Sequence, residues 1–214
     1  MKTLTPEILL RAYTAGIFPM SEGRDDPELF WVDPENRGII PLESFHVPGK
    51  LRRRVRNNSF KVKCDTAFAL VMEHCAEAAQ NRESTWINQT IIDLYTTLHT
   101  MGRAHSVECW KEDDLAGGLY GIALNGVFFG ESMFSSQADA SKVALVYLVA
   151  RLKQGGYRLL DTQFVTPHLT TFGAIEIARD KYHAMLAEAI EASGDFSALP
   201  DEAPADDSNV SYSV

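Results

Sequence analysis

HSVECWKEDDLAGGLYGIALNGVFFGESMFSSQADASKVALVYLVARLKQGGYRLLDTQ occupies residues 105–163, and its succession of periodicities decides the fold class. Residues 105–111 alternate polar and apolar side chains, the period of a half-buried strand. Glu112, Asp113 and Asp114 make a polar turn. Residues 115–124 and 126–134 then read as two strands about Asn125-Gly126, a dipeptide suited to tight hairpins because both residues accept positive φ. Residues 139–154 carry a helix that Gly155-Gly156 stops. Residues 158–165 return to strand, with Leu159-Leu160 as a buried pair. Strand, hairpin, helix and strand, followed by a last helix over residues 178–192, imply an α+β or α/β core.

Toward the N-terminus the signals are shorter. Residues 88–101 read as a helix closed by Gly102, and residues 60–64 as a strand. A helix over residues 66–80 would be capped by Asp65. Residues 3–15 suit a first helix, with Thr5 as N-cap, Pro6 at the first position and Gly16 as stop. Residues 13–20, YTAGIFPM, turn into an extended segment, and Pro and Gly punctuate residues 21–50, with short strands such as 38–41. Pro48-Gly49 precedes a short helix at 51–56. The C-terminal stretch holds Asp195, Asp201, Glu202, Asp206 and Asp207 without a basic residue, the composition of a disordered acidic tail.

The 214 residues carry 45% apolar and 23% charged side chains, enough to fill a sizeable core. No run reaches the length of a membrane span, and the first residues lack a secretory leader, so the expectation is a cytoplasmic protein. Cys64, Cys75 and Cys109 have no metal-ligand spacing and are expected to be reduced core residues. A nucleophilic Cys109 beside His105 is the sharper alternative. The net charge of −9 argues against general nucleic-acid binding. Yet Lys50, Arg52, Arg53, Arg54, Arg56, Lys61 and Lys63 form a stripe with no acid among them, which suggests a local polyanion site, with a solvated charged face as the plainer reading.

Familiar cofactor motifs, GxGxxG, a Walker loop or HExxH, do not occur. Gly117-Gly118-Leu119-Tyr120-Gly121 lies inside a strand and suits close backbone packing. Glu131 stands in an apolar strand, where a carboxylate needs a partner: a backbone amide, Lys142, or a ligand. Strand alternation would place Glu131, Met133 and Ser135 on one face. Asp161 and Gln163, two apart at the end of a buried strand, share a face and mark either a site or ordinary strand-end solvation. His105 is more economically a structural histidine than a base.

Together these strings resemble the leucyl/phenylalanyl-tRNA–protein transferase family. The resemblance runs over residues 10–185 through YTAGIFPM (13–20), WVDPENR (31–37), STWIN (84–88), AHSVECW (104–110), GGLYG (117–121), FGESMFS (129–135), ASK (140–142), DTQ (161–163) and FGAIEI (172–177). It implies an α+β protein with a small N-terminal domain, placed at residues 1–62 with the basic stripe, and a larger acetyltransferase-like domain at 63–193, leaving 194–214 as tail. Phe30-Trp31 departs from a tandem Trp pair, Thr162 from a frequent Cys, and Thr171-Phe172-Gly173 from Ser-Leu-Gly.

The activity so implied moves Leu, Phe or Met from charged tRNA to the α-amine of proteins beginning with Arg or Lys, marking them for N-degron degradation. The ester is already activated, so no cofactor or metal is expected, and the protein is expected to act as a monomer away from membranes. Gln163 would accept a hydrogen bond from the attacking amine, and Asp161 would hold the Gln163 amide. An apolar pocket for the aminoacyl side chain would use Leu119, Phe128, Met133, Leu145, Leu148, Leu152 and Leu160, with Glu131 in or beside it. Trp31 and Trp86 would flank the terminal adenosine. Arg52, Arg53, Arg54 and Arg56 would contact phosphates of the acceptor stem. An acetyl-CoA-dependent acetyltransferase would need a pyrophosphate loop before a helix, which the sequence lacks. A bare RNA-binding module would leave Asp161 and Gln163 without a role.

Overall fold

The computed structural model describes residues 4–77 and 85–200. The first residue of the helix expected from residue 3, the end of the one expected to residue 80, Ser84 of STWIN and tail residues 201–214 lie outside that range. The chain opens with α1 (Pro6–Thr14) and a hairpin of β1 (Phe18–Met20) and β2 (Phe30–Val32), followed by β3 (Asn36–Ile40), α2 (Gly49–Arg56), β4 (Lys61–Cys64) and α3 (Phe68–Ala76). Next come α4 (Gln89–Thr100), β5 (Ala104–Lys111), β6 (Asp114–Leu124), β7 (Val127–Ser135), α5 (Ala140–Gln154), β8 (Leu159–Gln163), the short α6 (Pro167–Thr170), β9 (Ile175–Ala178) and α7 (Arg179–Ile190). The architecture is α+β, a small N-terminal region beside a larger unit built on a seven-stranded sheet of order β4-β5-β6-β7-β8-β3-β9.

Every pair in that sheet is antiparallel except β7 and β8, which α5 connects. One face packs on α5, α2 and Phe172, and the other on α1, α3, α4 and α7. The helix starts follow local chemistry. Thr5 caps α1 through a bond from the Ile8 amide, Pro6 stands at its first position, and Asn88 caps α4 by accepting from Ile91 N at 2.9 Å. Gly117 lets α5 approach β6, since a Cβ there would lie 2.6 Å from the Ala140 Cβ. That is the close packing expected of the glycine-rich strand.

Three expectations need correction. Asp65 does not cap α3: its carboxylate takes the Ser106 amide and the His105 ring, and Glu108 instead accepts from the backbone amides of Thr66 and Ala67 at 3.0 and 2.8 Å. A carboxylate at a helix N-terminus satisfies orphan N–H groups from whichever strand can reach them. Residues 194–200, expected within the tail, are docked. Phe196 is buried against His105 and Phe128, and Arg151 donates to the carbonyls of Phe196, Leu199 and Pro200. β3 and β9 join the large sheet although β3 falls inside the segment 1–62 expected to form the small domain.

Candidate active site

β7 and β8 pair only over Val127↔Leu159, Phe128↔Leu160 and Phe129↔Asp161. Beyond Phe129, β7 continues to Ser135 and β8 to Gln163, so the two parallel strands part at their C-terminal ends. A β-bulge accompanies the parting. Tyr120 faces Ser132 and Gly121 faces Gly130, which leaves Glu131 as the extra residue. A cavity of about 400 Å³ opens here. Leu119, Met133, Leu145, Leu148, Leu160 and Leu169 supply apolar lining, Phe18, Met20, Trp86 and Phe164 add further wall, and Glu131, Ser132, Thr162, Gln163, Thr166 and His168 are polar. Apolar walls with a few polar groups at strand ends form the usual shape of a small-molecule site.

Asp161 lies behind this lining, fully buried. Arg37 grips it twice, Nε to Oδ1 at 2.9 Å and Nη2 to Oδ2 at 2.5 Å, and Tyr182 Oη donates to Oδ2 at 2.8 Å. The guanidinium sits between the Phe18 and Tyr182 rings, 4.6 and 4.4 Å from their centroids, and donates to the Gly16 carbonyl at 2.8 Å. Burial works against the Arg37 charge, but the bonds and charge of Asp161 prevail and hold its pKa above the ordinary value. Burial and the Asp161 charge push the Tyr182 phenol up. Asp161 Oδ1 also accepts the backbone N–H of Gln163 at 2.8 Å. The carboxylate therefore holds the Gln163 backbone and not, as expected, its side-chain amide, whose Nε2 has no partner. Gln163 has φ +57°, and this turn is possible because residue 38 is glycine: a Cβ there would stand 2.6 Å from the Phe164 carbonyl carbon.

Glu131 meets neither Lys142 nor a backbone amide. Tyr13 Oη donates to it at 2.7 Å, Tyr95 Oη at 3.4 Å, and the two phenols bond each other, while Lys142 pairs with Asp139 at 2.8 Å. Burial pushes the Glu131 carboxyl up to about 8, against the opposing Tyr13 hydrogen bond. The bulge also corrects the expected alternation. Glu131 follows Phe129, which packs on Tyr13 at 4.8 Å, whereas Met133 packs with the cluster on the α5 face.

The other expected site residues divide by place. Leu119, Met133, Leu145, Leu148, Leu160, Trp86, Glu131 and Gln163 line the cavity. Phe128 and Leu152 do not; they are buried in the α5-side core behind it. Trp31 is exposed on β2 opposite Pro19, on the other hairpin face from Phe18 and Met20, so the structure does not bring it to the lining. Arg52, Arg53, Arg54 and Arg56 lie on α2, whose Leu51 and Val55 are buried. Arg53 and Arg56 are exposed, and Arg54 donates to the Ala138 carbonyl and pairs with Asp139. Cys109 is no nucleophile: burial pushes its thiol up to about 12, and His105 is held by Asp65 and stacked on Phe196. Arg37, Tyr13, Tyr95 and His168 belong to the site without having been singled out; the signal for Arg37 was a charged residue entering the apolar strand NRGII. Among the described residues no His, Cys, Asp and Glu cluster could hold a metal ion.

The chain matches two family models, described as leucyl/phenylalanyl-tRNA protein transferase over residues 39–187 and its N-terminal domain over residues 2–35. It is 59% identical over 201 residues to a leucyl/phenylalanyl-tRNA–protein transferase of Nitrobacter winogradskyi, covering 94% of this chain and 89% of that one. A protein of the same description from Paramagnetospirillum magneticum is 59% identical over 190 residues, covering 89% and 91%. One from Rhodospirillum rubrum is 54% identical over 213 residues, covering 99% and 100%.

Proposed function

The chain belongs to the leucyl/phenylalanyl-tRNA protein transferase family, and from that premise we propose that the cavity between β7 and β8 takes the aminoacyl end of charged tRNA and passes it to a protein α-amine. The enzyme is an aminoacyltransferase moving Leu or Phe from tRNA to proteins. Met is a further donor, the acceptors begin with Arg or Lys, and the product is an N-degron made in the cytoplasm by a monomeric enzyme. The observation that carries this reading is a buried glutamine, Gln163, at the edge of an apolar cavity between splayed parallel strands. An α-amine with an ordinary pKa near 7.7–8.0 is partly neutral at cytoplasmic pH, so orientation matters more than a strong base. Gln163 Oε1 accepts a hydrogen bond from that amine. The amine nitrogen attacks the ester carbonyl carbon, the bond to the ribose oxygen breaks, and the proton ends on that oxygen.

Leu119, Leu145, Leu148 and Leu160 receive the donor side chain, whose burial yields roughly 1.5–3 kcal/mol. Trp86, in the cavity wall, stacks on the adenosine. The acceptor stem runs toward α2, because Asp139 at the start of α5 is paired with both Arg54 and Lys142, and the Asp139 and Lys142 charges both act on His168 in the cavity. The test is transfer of labelled leucine from leucyl-tRNA to a peptide beginning with Arg. Transfer to the free peptide, none to its N-acetylated form and none of an acetyl group from acetyl-CoA is the expected result. Acetyl transfer without leucine transfer would overturn the reading.

A further inference from the structure

Three buried polar atoms that border the cavity lack a hydrogen-bond partner: Thr162 Oγ1, Gln163 Nε2 and His168 Nε2. A buried polar group is costly to leave unbonded, and three of them around one cavity call for a ligand that completes them. Gln163 already has a role toward the reacting amine through Oε1, and its Nε2 can only donate. Thr162 and His168 have none. Thr162 alternates with Asp161 along β8 and so points with Leu160 toward the α5 face. His168 stands on α6, edge-on to Phe172 at 5.5 Å, against the same core. Both atoms therefore interrupt the apolar side of the cavity that Leu145 and Leu148 form.

Besides its ester and the neighbouring ribose hydroxyl, the donor carries one polar group on the aminoacyl moiety itself. Its α-carbon carries the carbonyl, the apolar side chain and the α-amino group, so anchoring the first two leaves the third within bonding reach of the cavity wall. We infer that Thr162 Oγ1 and His168 Nε2 hydrogen-bond the α-amino group of the aminoacyl donor, so that the site selects an α-amino acid over a bare acyl chain of the same shape. Burial, then the nearby Lys142 charge, hold His168 below the ordinary histidine value, against the weaker pull of Asp139. The ring is neutral at pH 7, and with its proton on Nδ1 it offers Nε2 as an acceptor. A hydroxyl beside it can accept or donate. The inference rests on the proposed aminoacyl transfer.

Leucyl-adenosine and isocaproyl-adenosine, the same ester without the amino group, are compared as donors by kcat/KM in the wild type, Thr162→Val, Thr162→Ser and His168→Phe. The wild type should favour the leucyl donor by more than about tenfold. Thr162→Val and His168→Phe should each shrink that ratio about fivefold, and Thr162→Ser should retain it. Taking the ratio within each variant removes any difference in folded fraction, comparing the ratios between variants removes the difference in intrinsic ester reactivity, and Val replaces Thr without a change of shape. An unchanged ratio in Thr162→Val and His168→Phe overturns the inference while leaving the function standing. Failure of the wild type to transfer leucine at all refutes the function and the inference together.

Discussion

Asp161 and Arg37 form an ion pair in which both side chains are at most 1% exposed. Removing one partner of such a pair leaves a buried charge uncompensated, at a cost of about 3–5 kcal/mol, whereas replacing both by apolar residues is often neutral. Asp161→Ala should therefore lower stability in urea by that amount, and Arg37→Met with Asp161→Leu should recover most of it; equal losses in the single and double variants would show that the pair is not the cause. Glu131 gives a pH signature. Its folded pKa of about 8 lies above the ordinary glutamate value of 4.5, so between those limits the folded protein keeps a proton that the unfolded chain has released. Stability linked to Glu131 is present below pH 4.5 and is lost as pH rises through 8. Thermal unfolding should show this decline in the wild type and a flatter profile in Glu131→Gln, and identical profiles would contradict the assignment. At this scale the nearness of Asp161 and Gln163 follows from their spacing in sequence, but the bond between them runs to the Gln163 backbone and not to its side chain. Arg37, 124 positions from Asp161, was not, since no local pattern records which strand will lie alongside β8.

Elements with long periodic signals were legible as well. α5, the β6–β7 hairpin and the basic α2 follow from periodicity and turn chemistry that their own residues carry. β9 went unread and β3 was assigned to another domain, because four- and five-residue strands owe their place to distant partners. The bulge at Glu131 was invisible for a related reason: strict alternation is the only register that sequence alone supplies. The docked C-terminal segment was hidden by composition, which reads the acids and misses one aromatic. Phe196 fills a slot between His105, Phe128 and the Arg151 guanidinium. Phe196→Ala should cost about 3–5 kcal/mol, read as a lower midpoint in urea, and a shift below about 1 kcal/mol would mean that the segment is not part of the cooperative unit.

The whole molecule carries a net charge of −9, while α2 holds Lys50, Arg52, Arg53, Arg54 and Arg56 with no acid, so a polyanion should be drawn to α2 against the field of the acidic body. Arg53→Ala with Arg56→Ala should raise the KM for leucyl-tRNA and reduce the log–log salt slope by roughly 0.7–0.9 for each arginine–phosphate ion pair removed, while a leucyl-adenosine donor is unaffected. An equal effect on the short donor would place these residues in another role. In the proposed reaction the splayed strand ends deliver one glutamine, Gln163, to the reacting amine. Its most direct test is the kcat of Gln163→Ala with leucyl-tRNA, alongside the Kd for a non-hydrolysable aminoacyl-adenosine. A fall in kcat of about a hundredfold or more with donor binding preserved is the predicted result, and a near-normal kcat would contradict it.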